Sequence, residues 1–388
     1  VNIAYLYPWD VVGDPTAPGR IADLGVDAVA LAASYHSTRA ATPYHPNHRV
    51  LDVAHSAFYL PIRPEAWGSL VPASPTWTTP DAYLTARDAL KAAGLKVLAW
   101  TVLTHNSYLG TKHPGIATRN AFGDLYPHAL CPAHPEVVDY CERLVREVLT
   151  VGEPDGLILE SCGPMGFGHQ NMHEKTAGAD WNGPLGDLLS LCFCTACAPQ
   201  YPETTQEHVK QVVDTQPNPV TTEEGLSDHA QAVQEVRLSL STQLRQRLIT
   251  VARELSPETP ITLHANPDPW AAGAFAALPH GEPGADVLVG NCWGDPASDA
   301  DRLTTLANLS TTPAANLSTT RAPADSSSTT RQRIGAYVLA LPPRPADATV
   351  LADQMATYAK AGATEFHLYH AGLASPARLA AIREALNR

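Results

Sequence analysis

One unit recurs along this chain and limits what it can fold into: a helical stretch ending at Gly, two or three residues, then a β-rich apolar run. It appears as Leu24-Gly25-Val26-Asp27 before residues Ala28–Ala33, and as Ala93-Gly94-Leu95 before Lys96–Thr104. It returns as Val151-Gly152-Glu153-Pro154 before Asp155–Glu160, and as Ala361-Gly362-Ala363-Thr364 before Glu365–Tyr369. Gly just past the last helical residue accepts the left-handed conformation that closes a helix, which accounts for its place. Four further runs read as strands without that Gly: Val1–Tyr7, Ile261–Asn266, Asp286–Asn291 and Ile334–Leu341. Most of the eight are continuously apolar, the pattern of strands covered on both faces.

Helices are expected between them. Thr79-Pro80 supplies an N-cap and an N1 proline for a helix carrying Tyr83, Leu84, Ala86 and Leu90. After Pro135, residues Val137, Val138, Cys141, Leu144, Val145 and Val148 form one apolar stripe. A long helix is expected from about Thr222 to Leu255, with others over Asp347–Ala361 and Pro376–Leu386. Eight strands alternating with helices predict an α/β fold, a (β/α)8 TIM barrel with long top-face loops.

The chain has 388 residues, well over the roughly 250 of a typical barrel, yet it reads as one barrel domain over 1–388. The excess falls in three places. Residues 37–77 and 161–202 follow strands and are expected as excursions on the active face. The third, 306–332, contains Ala-Asn-Leu-Ser-Thr-Thr twice and lacks the apolar content to pack, so a mobile loop is expected.

The net charge is −13 and no basic run or basic-aromatic stripe occurs. That argues against nucleic acid or an anionic membrane as partner, and a neutral or cationic small substrate fits better; the partner expected is a small molecule or, on the glycosidase reading below, an oligosaccharide. No stretch approaches the roughly 20 apolar residues of a membrane span, and the first residues read as a strand rather than a leader. The expectation is a soluble, cytoplasmic protein, with homo-oligomerisation left open.

Seven cysteines are present, and four group by spacing. Cys192-Phe193-Cys194-Thr195-Ala196-Cys197, with Cys131 upstream, has the ligand count of a closed four-thiolate zinc site. Such a site has no open position, so the metal would be structural, pinning two long loops. Three reduced thiols packed among apolar neighbours is the plainer alternative, and Cys162 is a rival fourth ligand. Cys141 reads as a core thiol. Cys292, between Asn291 and Trp293, reads either way.

Cys131-Pro132-Ala133-His134-Pro135, then a helix, a strand ending in Glu160, then the Cys-Phe-Cys-Thr-Ala-Cys run resembles the family-42 β-galactosidases. More broadly it resembles zinc-bearing, glycoside-hydrolase-like barrels of bacteria. The resemblance covers about 70 residues and implies that Cys131, Cys192, Cys194 and Cys197 bind structural zinc. It also implies that Glu160 is the general acid/base of a retaining mechanism. The family has Asn before that Glu, where this chain has Leu159, and a strand-7 Glu nucleophile, where this chain reads Leu341-Pro342-Pro343-Arg344. The fold expectation survives these departures; β-galactosidase activity is not implied.

Glycoside hydrolysis ordinarily uses two carboxylates, about 5–5.5 Å apart for retention or 6.5–9.5 Å for inversion. Glu160 ends a buried strand, where desolvation is expected to raise its pKa toward that of a general acid; the plainer reading is a hydrogen-bonded strand-end carboxylate. For the partner, Asp295 follows strand 6, Asp268 follows strand 5 and Asp10 follows strand 1. Each reads equally as a cap for the next helix. Asp295 and Asp268 lead because Trp and Asn accompany them.

A polar and aromatic rim is expected to contact the sugar: Trp9, Asp10, Tyr35, His36, His105, Asn106, His264, Asn266, Trp270, Asn291, Trp293, His367 and His370, with Tyr7 and Tyr369. A single strand-end His is ordinarily a satisfied rim residue, but these follow six strands. Two rivals remain: a metal-dependent barrel hydrolase or isomerase using the rim histidines, and a non-catalytic carbohydrate-binding barrel. Against the first, strand 1 lacks His-x-His and no His-Glu-x-x-His occurs. No G-x-S-x-G or P-loop pattern supports a serine nucleophile or nucleotide binding.

Overall fold

A computed structural model describes residues 1–168, 175–181, 183–215, 218–310 and 332–388. Of the tract 306–332 expected as a mobile loop, residues 311–331 lie outside the described residues, and the expectation is corrected at its start, where 306–309 continue a helix and Leu306 and Ala307 are buried against the barrel. Eight parallel strands form the barrel: β1 (Asn2–Leu6), β2 (Ala28–Tyr35), β3 (Lys96–Val102), β4 (Gly156–Glu160), β5 (Ile261–Asn266), β6 (Val287–Cys292), β7 (Arg333–Leu339) and β8 (Glu365–Tyr369). Each pairs with its neighbour in chain order, and β1 pairs with both β2 and β8, so the sheet closes. The protein is a (β/α)8 barrel, as the run of apolar strands predicts.

The outer helices are α1 (Ala17–Ala22), α2 (Ala82–Ala92), α3 (Pro135–Gly152), α4 (Ala230–Leu255), α5 (Pro296–Leu309), α6 (Ala348–Lys360) and α7 (Pro376–Leu386). Between β5 and β6 there is no helix; that link is a loop with a two-residue strand, Ala276–Ala277, paired to β5. The long helix expected from Thr222 is broken. Ser227 takes a positive φ of 51° between a short helix Thr222–Leu226 and α4. The stripe on α3 is realised, with Val137, Cys141, Leu144, Val145 and Val148 all fully buried. Each such aliphatic side chain contributes roughly 1.5–3 kcal/mol.

Gly25, Gly94 and Gly362 end helices at φ of 79°, 85° and 107°, as their spacing predicts. At the third repeat the left-handed residue is instead Glu153, φ 41°. Gly152 stays helical, and a Cβ there would sit 3.3 Å from Tyr83 and 3.4 Å from Leu60; close packing, not turning, accounts for that glycine.

The expected excursions lie after strands. After β2 comes a hairpin of Thr38–Ala41 and Val50–Val53. After β3 comes another of Ala117–Arg119 and Leu125–Leu130, ending at Cys131. After β4, a helix over Pro184–Leu189 leads to the Cys192–Cys197 run. These last two segments share a satellite core separate from that of the barrel, containing Leu188, Leu191, Phe193, Val209, Val233 and the four cysteines.

Candidate active site

The interior of the barrel is polar and aromatic. Four side chains from the odd strands, Tyr5, Trp100, His264 and Tyr337, make one layer, the arrangement expected when alternate strands contribute alternate layers. Their rings touch: Tyr5–Trp100 centroids are 4.8 Å apart, Tyr5–Tyr337 4.9 Å and His264–Tyr337 5.0 Å. Next to this layer, at the carboxyl ends of the strands, sit Glu160, Tyr35 and Tyr369. Trp100 and Tyr337 of the layer, with Glu160, Tyr35 and Tyr369, floor a cavity of about 290 Å³, whose walls add His36, Asn266, Phe275, Asn291, Trp293 and Arg302. That volume is at the lower end for a small-molecule site. A wider groove of about 650 Å³, with Thr38 in both linings, runs beside it along the hairpin after β2.

Glu160 is 3 % exposed. Trp100 Nε1 donates to its Oε2 at 2.7 Å, and His264 Nδ1 stands 3.2 Å from the same oxygen. Both contacts fall on Oε2, which leaves Oε1 as the oxygen for the cavity. Burial alone would push this carboxyl up, as its strand predicts. The His264 contact, the charge of His36 and the Trp100 hydrogen bond outweigh burial, so the net displacement is downward. The direction is thus opposite to the raised carboxyl that its strand alone leads one to expect.

The remaining walls are aromatic planes and polar tips. Trp293 stacks on Tyr337 at 5.3 Å and 13°, and Phe275 stacks on His264 at 4.6 Å and 2°. Asn291 Oδ1 and Trp293 Nε1 are buried and have no protein partner. Such atoms cost free energy unless water or a ligand completes them. Arg302, on α5, is held by the Asn291 carbonyl at 2.6 Å and Asp299 at 2.8 Å.

Of the rim expected from sequence, Tyr35, His36, Asn266, Asn291, Trp293 and Tyr369 line the cavity, and His264 lies beneath it against Glu160. The others are elsewhere, for identifiable reasons. Trp9 is packed on Tyr7 at 4.4 Å in the barrel core. His105 is stacked on His36 at 4.1 Å, outside the cavity. Asn106 caps the Ser107–Lys112 helix, accepting from Leu109 N at 3.0 Å, and donates to Tyr140. Trp270 belongs to the satellite core and donates to Glu223. His367 lies deeper in the barrel, and His370 is buried against Tyr7, 4.2 Å between ring centres.

The two leading candidates for the partner carboxylate are caps. Asp295 is exposed and accepts from Ala297 N and Ser298 N at 3.1 Å, at the start of α5. Asp268 is exposed and accepts from Trp270 N at 2.9 Å. Among the described residues, Glu160 is the one carboxylate in the cavity lining. Asp295→Ala is accordingly expected to cost about 1 kcal/mol of stability, the typical worth of an N-cap, with cavity binding retained. Denaturant titration and ligand binding on that variant check it; loss of binding in a folded variant would return Asp295 to the site.

Asp10 is also a cap, but a buried one. Its Oδ2 accepts from Tyr7 N at 2.8 Å and fills the space left by Gly372, where a Cβ would come within 1.9 Å. Burial raises its carboxyl to about 7, against the lowering pull of the Tyr7 amide and Arg20. A raised carboxyl is neutral in both states below its unfolded value of 3.8. It then penalises the fold as pH rises to about 7, by about 4 kcal/mol once both states are ionised. Asp10→Asn, which keeps the acceptor, is expected to remove that loss. Unfolding free energies at pH 5 and pH 8 should then differ less in the variant than in the wild type; an unchanged pH dependence refutes the assignment.

The four cysteines of the spacing motif converge. Cys131, Cys192, Cys194 and Cys197 are buried, with sulfurs all within 4.8 Å of one another. Cys131 Sγ lies 3.4 Å from Cys197 Sγ and 3.7 Å from Cys194 Sγ. A tetrahedral zinc with bonds of about 2.3 Å needs sulfurs about 3.8 Å apart, so the donor set fits the ion in kind and spacing. Cys162 is outside the group, near Arg245 and Glu282, its thiol pushed up to about 12 by burial. Among the described residues no second group of three His, Cys, Asp or Glu side chains converges.

No family model matches the chain, and no curated protein matches it. Solved structures share its fold at low identity. The catalytic domain of β-amylase from Paenibacillus polymyxa aligns with 99% of this chain and 97% of its own, at 13% identity and TM-score 0.56. A β-galactosidase from the haloarchaeon Halorubrum lacusprofundi aligns with 99% of this chain at 12% identity and TM-score 0.57. A catalytic mutant of a GH42 β-galactosidase from G. stearothermophilus aligns with 99% at 10% identity and TM-score 0.54. This chain spans 57% and 55% of those two galactosidase chains. At such identities the likeness is one of fold.

Proposed function

We propose that this barrel acts on a glycoside, with Glu160 as the carboxylate that handles the proton. The observation that carries the reading is Glu160 itself. It ends β4 at the face where barrel enzymes work, in a cavity sized for a small ligand, with one oxygen held and the other left for a substrate. The aromatic planes of Trp293, Tyr337 and Phe275 offer surfaces for the apolar faces of a sugar ring, and Asn266, Asn291 and Arg302 offer partners for hydroxyls. The fold neighbours, named as β-amylase and β-galactosidases, support the same class. A carboxyl held below its ordinary value suits accepting a proton or attacking as its first act.

A second reading has its own observation. A hydrolase of the usual kind needs two carboxylates, and the described lining offers one. A carbohydrate-binding barrel needs none. A panel of aryl glycosides, with sugar binding measured by calorimetry, separates the two: turnover supports the enzyme, whereas binding without turnover supports the binding module. Neither turnover nor binding would sink both.

For the cysteines we propose a structural zinc held by Cys131, Cys192, Cys194 and Cys197. Four thiolates would fill its coordination, so it would supply no chemistry to the cavity beyond fixing the loops around it.

A further inference from the structure

The cavity carboxylate is the upper end of a line of polar side chains that runs down the barrel axis. Glu160 Oε2 faces His264 Nδ1 at 3.2 Å. His264 Nε2 meets the Tyr5 hydroxyl at 3.0 Å, and that hydroxyl meets His367 Nδ1 at 3.1 Å. His367 Nε2 then faces Glu365 Oε2 at 3.5 Å, and Arg333 pairs with Glu365 at the opposite end of the barrel. All five relay side chains are buried, none more than 3 % exposed, while Arg333 is exposed. Gly335 makes room for the line: a Cβ there would come 2.9 Å from His367 Nε2.

Counting protons gives this line a property that no single contact has. The two inner contacts are hydrogen bonds, whereas at the two ends His264 Nδ1 and His367 Nε2 face their carboxylates without making one; each of the four is favourable only with a hydrogen between its atoms. With both carboxylates ionised, Tyr5, neutral His264 and neutral His367 supply three. One contact is therefore empty unless the line holds one proton more. With that proton, and with both carboxylates still ionised, all four contacts are filled in two ways. In one, His264 is the imidazolium and donates to Glu160 and to Tyr5 Oη, while Tyr5 donates to His367. In the other, His367 is the imidazolium and donates to Tyr5 Oη and to Glu365, while Tyr5 donates to His264. The two differ by two protons: one leaves His264 Nε2 for Tyr5 Oη, and the Tyr5 proton leaves for His367 Nδ1. No other atom changes bonding, and the total charge stays at −1.

We propose that Glu365, His367, Tyr5, His264 and Glu160 form one relay holding a single excess proton, and that Arg333 at the barrel floor sends that proton to the Glu160 end. The Arg333 guanidinium occupies the charge of Glu365, so a second cation on His367 is disfavoured there and His264 carries it instead. Burial, which lowers His367, acts in the same direction. The other groups facing the two ends are Tyr35, Tyr337, Tyr369 and His36 near Glu160, and the Val1 amino group near Glu365 and His367. Arg333 and Tyr5 are positioning residues in this scheme; neither lines the cavity.

The test reads the imidazoles directly, with chain labelled in histidine with ¹⁵N. In the wild type, His264 should be doubly protonated and His367 singly protonated at neutral pH. Arg333→Met should reverse the two, and Arg333→Lys should restore the wild-type pattern. Tyr5→Phe, which removes the hydroxyl between the two rings, should uncouple the ¹⁵N signals of His264 and His367. If activity is found, Arg333→Met should also move the acidic limb of its pH profile upward by about one to three pH units, the loss of a near cation beside Glu160, with KM little changed. Unchanged ¹⁵N signals at His264 in a folded Arg333→Met protein overturn the relay. The relay is built on the site proposed above, but the outcomes separate: an intact histidine pattern without any glycoside turnover removes the function and leaves the relay.

Discussion

Glu160→Gln is expected to lower turnover of a responsive aryl glycoside by about 10²–10⁴-fold, the usual contribution of a general acid or base, with sugar binding retained. Gln keeps the volume at the end of β4 and an oxygen for Trp100 Nε1, so the cavity wall need not move. It removes the negative charge beside His264, which stands 3.2 Å away, and no other carboxylate among the described lining residues can replace it. The sign of the pH effect follows from the lowered carboxyl. A carboxylate held below its unfolded value contributes stability above that value, near 4.5, and loses it as pH falls. The stability gap between wild type and Glu160→Gln should thus close toward acid. Turnover within about threefold of wild type, well inside the effect of removing a catalytic base, would take Glu160 out of the chemistry. A variant that neither turns over nor binds, yet melts like the wild type, would point instead to a binding role for the charge.

Much of the scaffold is visible in the sequence because it rests on local rules. Continuous apolar runs between helical stripes place all eight strands, and the Gly caps place three helix ends. The same continuity hides the site. A strand buried on both faces has no polar-apolar alternation, so Ala-Tyr-Leu-Tyr in β1 or Ala-Trp-Thr-Val in β3 does not say which side chains face the barrel axis. Tyr5, Trp100 and Tyr337 were for that reason not named as site residues, although period-two spacing from Glu365 and His367 to Tyr369 on β8 carries the signal. The capping aspartates failed differently. Asp295 and Asp268 sit just after strands, where a catalytic acid and a helix or turn cap look the same in sequence. Glu160 is legible in the sequence but the direction of its pKa is not, because burial shows along one strand whereas His264 and His36 arrive from two others.

Cys194→Ser should have the other large effect, and it should reach the cavity by a traceable route. One zinc per chain is expected in the wild type and none in the variant. Cys141→Ser and Cys162→Ser should keep the metal, because their thiols are outside the four-sulfur group. Binding free energy at such sites is folding free energy, about 10–16 kcal/mol for zinc-finger peptides. That exceeds what the small satellite core of Leu188, Leu191, Phe193 and Val209 could replace. The barrel has its own core and should stay folded, so protease cleavage is expected within 184–226 before the strands open. Trp270 packs in the satellite core, and Arg237 ties its carbonyl at 3.3 Å. Trp270 starts the loop that carries Ala272, Ala274 and Phe275 into the cavity wall, and Ser161, next to Glu160, donates its amide to Ala274 at 2.9 Å. Releasing the staple therefore loosens one wall of the cavity and leaves Glu160, fixed by Trp100 and His264 on the barrel itself, in place. The variant should lose substrate affinity more than it loses kcat, the reverse of Glu160→Gln. A metal-free wild type, or a Cys194→Ser protein with full affinity and unchanged protease resistance, would leave the cysteines as packed thiols.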